Sequence, residues 1–308
     1  MPLRIGTSER GGTFHSQGRA LATIFDRQPQ LAPVEVLESR SASVGNARRL
    51  AAGEIDFGFM ASNWIGRAQR GEAPFDAPIV LRMAAPMNAG PLFFIARADA
   101  PIRSVGGLRG KRVAVGLATS GMVQHVHSIF AALGLSFADI TPVYLDFAAG
   151  ADALAQGTVD AQFQCPIPNQ VMTDLAARVD LQVIAYGPGE METVLRAVPF
   201  YRPTTIRVHA IRGVDHDVPQ IAVVNVLATH ARVAEAIVRE VVAAVIDGAG
   251  ELGRLNPLFV GLPDLLERLR REGSAALEFG GVPLHDGALQ AYRAAGYKPI
   301  TAARSSPP

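Results

Sequence analysis

Small polar residues recur where apolar runs end. Thr7, Ser8 and Gly11–Gly12–Thr13 follow "LRIG"; Ser39, Arg40, Ser41 and Ser43 follow "VEVL". Ser62 and Asn63 follow "DFGFMA", Thr119, Ser120 and Gly121 follow "VAVG", and Gln164 closes "VDAQFQ". Hydroxyls and amides at such places donate hydrogen bonds, and glycine lets backbone N–H groups come close. A helix that starts there adds unpaired N–H groups and the positive end of its dipole, which together hold an anion. For any single Ser or Thr the alternative is an ordinary N-cap. Five such loops at corresponding places favour a binding surface, and the chemistry is that of holding rather than reacting.

Reactive constellations are scarce. "GKR" at 110–112 has Val105 where a phosphate loop needs its first glycine and Arg112 where it needs Ser or Thr. "GTSERGG" has the wrong spacing for a dinucleotide fingerprint. "ATSGM" has Ala118 where a nucleophile elbow needs glycine. His125 and His127 are two apart, so a helix points them to different sides, and the other histidines are scattered. Cys165 is the only cysteine, which excludes a disulfide within the chain and a thiolate zinc cluster; it reads as a buried small hydrophobe. No metal and no cofactor is expected. A net charge of +1 gives no electrostatic case for nucleic acid. Hydrophobic residues at 49% and charged residues at 19% support a sizeable core.

The elements that must carry these loops alternate. "LRIG", a helix around 17–26, "VEVLES", a helix over 43–52 and "IDFGFM" make a β-α-β-α-β run. A second run starts at "KRVAVG" and continues with a helix over 122–133, "ITPVYLDF", a helix over 150–155 and "VDAQFQ". That rhythm predicts parallel sheets covered by helices. "LAAGEIDFGF" (50–59) matches "LAQGTVDAQF" (154–163) at one offset: Leu50 with Leu154, Gly53 with Gly157, Asp56 with Asp160, Phe59 with Phe163. The repeat implies two α/β lobes of like build. "GPLFFIARAD" (90–99) and "IAVVNVLAT" (221–229) read as strands crossing between them. The expected division is lobe one at 1–91 with a mostly helical 225–308, and lobe two at 92–224, with a ligand cleft between. The final "ARSSPP" reads as a frayed tail.

The pieces "IGTSERGGTF", "SASVGNARRLAAGEIDFGF", "LRGKRVAVGLATSG", "LAQGTVDAQF" and "VPLHDGA" resemble, in order and over about 3–296, the TAXI branch of solute receptors of tripartite ATP-independent periplasmic (TRAP) transporters. The resemblance implies a type II periplasmic-binding-protein fold, no catalysis, periplasmic localisation and a TRAP-type membrane permease as partner. It implies a small anionic solute, an organic acid or amino acid, held by Gly12, Thr13, Phe14, Ser43, Ser62, Ser120, Gly121 and Met122. The loop positions of Asn63 and Gln164 add them to that set.

Departures from the family pattern touch the ligand. Phe14-His15 stands for Tyr-Tyr, "SRSAS" places Arg40 in the second loop, and Arg207 stands where proline is usual. Arg40 and Arg207 either clamp a carboxylate bidentately or stand in solvent. "MPLRIGTSER" has no apolar leader core, so a cytoplasmic protein is the alternative location. A small-acid decarboxylase-like enzyme and a cytosolic sensory module are the competing functions. The enzyme would draw on only the scattered histidines and Asp146. The sequence further predicts that Gly12→Val or Thr13→Val weakens binding with little loss of fold.

Overall fold

A computed structural model of the chain describes residues 2–10, 12–39, 41–118, 120–164, 167 and 169–297. Arg40, Gly11, Thr119, Cys165 and the "ARSSPP" tail lie outside the described residues. The chain divides into two compact units, Met1–Ala89 with Val224–Pro308, and Gly90–Val223. Both divisions fall inside long strands, β4 (Leu81–Arg97) and β10 (Val218–His230).

In the first unit β1 (Leu3–Gly6) lies between β2 (Val34–Leu37) and β3 (Phe57–Ala61), parallel to both, and β10 runs antiparallel to β3. Helix α1 (Thr13–Phe25) follows β1, α2 (Ala42–Ala52) follows β2 and α3 (Ser62–Arg70) follows β3. The apolar residues of α1, Phe14, Leu21, Ile24 and Phe25, are buried at helical spacing. The C-terminal part adds α8 (Glu235–Leu255), α9 (Leu262–Glu272) and α10 (Asp286–Ala294). Gly287 lets α10 meet α8 backbone to backbone, because a Cβ there would overlap the Glu235 carbonyl.

One side chain ties the strand ends of this unit together. Asn46 of α2, fully buried, directs its Nδ2 at the carbonyls of Thr7 (2.9 Å), Phe59 (2.9 Å) and Gly6 (3.2 Å). The approach requires glycine beneath it: a Cβ on Gly6 would stand 2.6 Å from Asn46 Oδ1, and one on Gly58 would stand 3.0 Å from Asn46 Cβ. The loops after β1 and β3 therefore leave from one amide anchor.

In the second unit the order is β4-β7-β5-β6, with β8 (Leu181–Ile184) also on β4. β5 (Arg112–Ala114) is parallel to β6 (Thr141–Val143) and to β7 (Ala161–Gln164), and β7 is antiparallel to β4. Helices α4 (Gly121–Ala132), α5 (Phe147–Ala155), α6 (Gln170–Arg178) and α7 (Glu190–Ala197) connect them. Phe93 and Ile95 pack with Leu154, Met172 and Leu175 in one core layer. Phe94 packs with Phe130 and Phe163 in another. β9 (Tyr201–Ile206) pairs with β10, with Pro203 opposite Ile221.

The repeat read from the sequence has a physical counterpart. Asp56 takes the Arg4 guanidinium at 2.9 and 3.2 Å and the Arg4 backbone N–H at 2.9 Å. Asp160 does the same for Arg112, with the backbone bond at 2.8 Å and side-chain bonds at 2.7 and 3.2 Å. In each unit the acid before one strand fixes the start of its neighbour. Gly53 and Gly157 end the preceding helices at φ +75 and +73, the left-handed turn that favours glycine.

Three elements differ from the sequence reading. α1 begins at Thr13, four residues before the expected 17, because the glycine turn itself serves as the N-cap. Only three residues of "ITPVYLDF" are strand, since Asp146 already caps α5 by accepting the Ala149 N–H at 2.8 Å. β4 begins at Leu81 rather than 90, its early residues being buried nearly throughout.

Candidate functional site

Parallel strands present their carboxyl ends, with the helix starts, on one edge of a sheet, the usual place for ligands in open α/β sheets. In the first unit that edge carries the starts of α1, α2 and α3. None of the three has a side-chain cap or an acidic residue in its first turn. In α1 the Ser8 hydroxyl accepts the His15 N–H (3.2 Å) and the Ser16 N–H bonds Gly12 (3.2 Å). Among the described residues, the N–H groups of Thr13 and Phe14 have no acceptor. Thr13 is exposed.

Several predicted ligand residues in this unit hold the fold. Phe14 is 7% exposed and stacks on Phe59 at 5.4 Å, leaving only its backbone for a solute. The Ser43 hydroxyl accepts the Ala61 N–H (3.0 Å), and the Ser62 hydroxyl accepts the Val224 N–H (3.2 Å). Asn63 keeps a buried Oδ1 without a partner. Gly12 has an ordinary φ of −74, but a Cβ there would overlap Ser8. That corrects the sequence expectation for Gly12. Gly12→Val should push out Ser8, release the His15 N–H and lower the melting temperature, whereas Thr13→Val should leave it within a degree or two; thermal unfolding of the pair checks this.

The second unit presents the start of α4. Ser120 is the N-cap without a side-chain cap bond, and its Oγ is buried without a partner. A Cβ on Gly121 would meet nothing within 4 Å, so the space above the helix start is open within this unit. Met122 packs back on the turn, where a Cβ on Gly116 would stand 2.8 Å from its Cβ. By contrast α5 is capped by Asp146 and α6 by Asn169. Gln164, at the carboxyl end of β7, is fully buried, and among the described residues neither atom of its amide has a partner. Arg207 pairs with Asp217 at 2.8 Å beside the β9–β10 hairpin, so an anion would have to displace that carboxylate.

The sequence reading did not give the partners of two polar groups, buried Asn88 and half-buried His125. Asn88 Oδ1 accepts from Gln17 Nε2 (3.0 Å) and from Asn225 Nδ2 (3.2 Å), a contact spanning three distant segments. His125 Nδ1 lies 2.8 Å from the Tyr201 hydroxyl, while His127 stacks on Phe137 at 3.8 Å, so the two rings serve different neighbours. Burial pushes His125 down to about 4. An unfolded histidine titrates near 6.5, so the unfolded chain binds the extra proton first as pH falls. The stabilisation is complete above about 6.5 and is lost toward 4, up to ~3 kcal/mol. Burial lowers His230 and His285 as well, which adds in the same direction. Melting temperature should therefore fall from pH 7.5 to 5, and His125→Gln should flatten the fall.

Two surface depressions lie elsewhere. One of about 310 Å³ is bounded by Arg97, Lys111 and Asp160, and one of about 340 Å³ by Arg4, Asp56 and Arg232. Both sit at the amino-terminal ends of the parallel strands, and Arg97, Arg4 and both acids are already paired. The uncapped helix starts are the better candidates. Among the described residues no group of three or more His, Cys, Asp or Glu is placed to hold a metal ion. No helix among them is long and apolar enough to cross a membrane.

The NMT1-like family model matches residues 5–296. The chain belongs to the NMT1-like family. Solved structures show the same fold. A TctC solute-binding protein from Polaromonas superposes with a TM-score of 0.55 at 18% identity, over 87% of this chain and 88% of that one. A putative periplasmic sulfonate-binding protein, SsuA, from Methylobacillus flagellatus superposes with a TM-score of 0.51 at 16% identity, over 98% and 89%. This NMT1-like chain thus has the mixed α/β fold of periplasmic solute-binding proteins.

Proposed function

We propose that this NMT1-like chain is an extracytoplasmic receptor that captures a small anionic solute and hands it, unchanged, to a membrane permease of the TRAP type. The uncapped starts of α1 and α4 carry the reading. Each unit has at a sheet edge a helix start with no side-chain cap from its N-cap residue and no acid in the first turn; in α1 the Ser8 hydroxyl takes the His15 N–H and leaves those of Thr13 and Phe14. Such a start attracts negative charge through its dipole and its free donors. Thr13 and the Phe14 backbone in one unit, and Ser120, Gly121 and Met122 in the other, are the proposed anion contacts. Asn63 and Gln164 are the proposed polar contacts beside them. Ser43 and Ser62 set the loops in place. The family match, the fold of solute-binding proteins and the TAXI-like motifs support the receptor role and a periplasmic location. An organic acid or amino acid is the solute class favoured by the motifs; the sulfonate-binding protein among the structural neighbours adds sulfonates to the panel.

The test is a thermal-shift screen of purified protein against succinate, L-malate, L-aspartate and ethanesulfonate. A solute that binds only the folded state stabilises it by ~2.7 kcal/mol at a hundred times its Kd. The receptor reading expects a saturable rise in melting temperature with at least one of them. A flat response to all four contradicts it.

A further inference from the structure

Gln164 is the one side-chain amide among the proposed contacts with both of its polar atoms buried and unpaired. It is the last residue of β7, its relative exposure is zero, and among the described residues neither Nε2 nor Oε1 has a hydrogen-bond partner. Its neighbour on the same face behaves differently. Gln162, two residues earlier, sends its Nε2 to the Phe147 carbonyl at 2.9 Å, and Gly150 leaves the room for it. Across the sheet Gln164 faces Phe93 and Gln162 faces Ile95, so apolar side chains flank both amides. A buried amide with no partner is costly, and a side chain such as methionine would fill the same space without that cost. Because both amide ends are free, the conclusion does not depend on which end carries the oxygen.

A partner that satisfies this amide must offer an acceptor to Nε2 and a donor to Oε1. A fully deprotonated diacid or a sulfonate offers acceptors alone. A carboxylate with a hydroxyl or ammonium on the adjacent carbon offers both within one amide's span. We propose that Gln164 determines specificity by selecting 2-hydroxy and 2-amino acids over the corresponding donor-free acid. The proposal rests on the receptor reading above and names the solute class for it. Nε2 donates to the carboxylate, and Oε1 accepts from the hydroxyl or ammonium at C2.

Succinate, L-malate and L-aspartate share one four-carbon diacid skeleton and differ only in hydrogen, hydroxyl or ammonium at C2. Calorimetric titration of the wild type is expected to show L-malate or L-aspartate binding at least tenfold tighter than succinate. In Gln164→Met that preference should shrink to within threefold. The ligand-free variant should melt roughly 2–5 °C higher, since an unpaired buried amide has been removed. The melting temperature decides the orphaned amide without any ligand: a fall or no change in Gln164→Met overturns the proposal. An undiminished preference in the variant also overturns it while leaving the receptor reading standing. So does a wild type that answers only to succinate or ethanesulfonate. A wild type that answers to none of the four probes overturns both.

Discussion

Gly121→Asp is expected to abolish solute binding while making the protein slightly more stable. Position 121 is the first residue of α4, and a Cβ there would meet nothing within 4 Å. An aspartate at the start of a helix interacts favourably with the dipole, by ~0.3–1 kcal/mol, and glycine's extra chain entropy is removed as well. The same carboxylate occupies the positive end offered to the solute and repels it. An affinity loss of at least a hundredfold, ~2.7 kcal/mol, is expected for any probe that binds the wild type. Calorimetry and thermal unfolding of one preparation give both readings. Opposite signs for stability and affinity separate a binding role from simple damage. Unchanged affinity would remove the α4 start from the site.

Asn46→Leu should have the largest effect on stability. The amide serves three carbonyls, and leucine leaves those of Gly6, Thr7 and Phe59 buried at the strand ends. Each abandoned buried acceptor costs about 1–3 kcal/mol, with relaxation taking back part of the total. A loss of ~3 kcal/mol or more is expected in a denaturant titration. Gly6 and Gly58 make the replacement worse, since the branched side chain must fit a gap cut for a flat amide. A change below ~1 kcal/mol would mean that water replaces the amide.

The fold was legible because its repeated unit leaves local marks. The glycine that ends the helix and the aspartate three residues later occur at 53 and 56 and again at 157 and 160. The structure shows why: the glycines adopt the left-handed turn, and the aspartates seize Arg4 and Arg112. The turns at Gly12 and Ser120 were legible for the same reason, each lying between an apolar run and an amphipathic one, though α1 starts at Thr13 rather than at the expected 17. Partners distant in sequence were not. Nothing near Asn88 announces Gln17 and Asn225, and nothing near Ser62 announces that its hydroxyl is taken by the Val224 N–H, 162 residues away. Hydroxyls that look free in the sequence are therefore divided by the fold. Ser43 and Ser62 bind backbone, and Ser120 keeps its oxygen unpaired. β4 was read too short because its early residues, including Pro86 and Asn88, have no strand-like alternation; the sheet buries them on both faces.

The central claim is that this chain holds a small anion and leaves it unaltered. One measurement addresses it directly: titration calorimetry of the wild type with the four probes, followed by mass spectrometry of the probe released from the complex on denaturation. The expected result is saturable 1:1 binding of at least one anion, recovered at its original mass. Absence of binding by all four, or recovery of a decarboxylated or otherwise converted product, would contradict the claim.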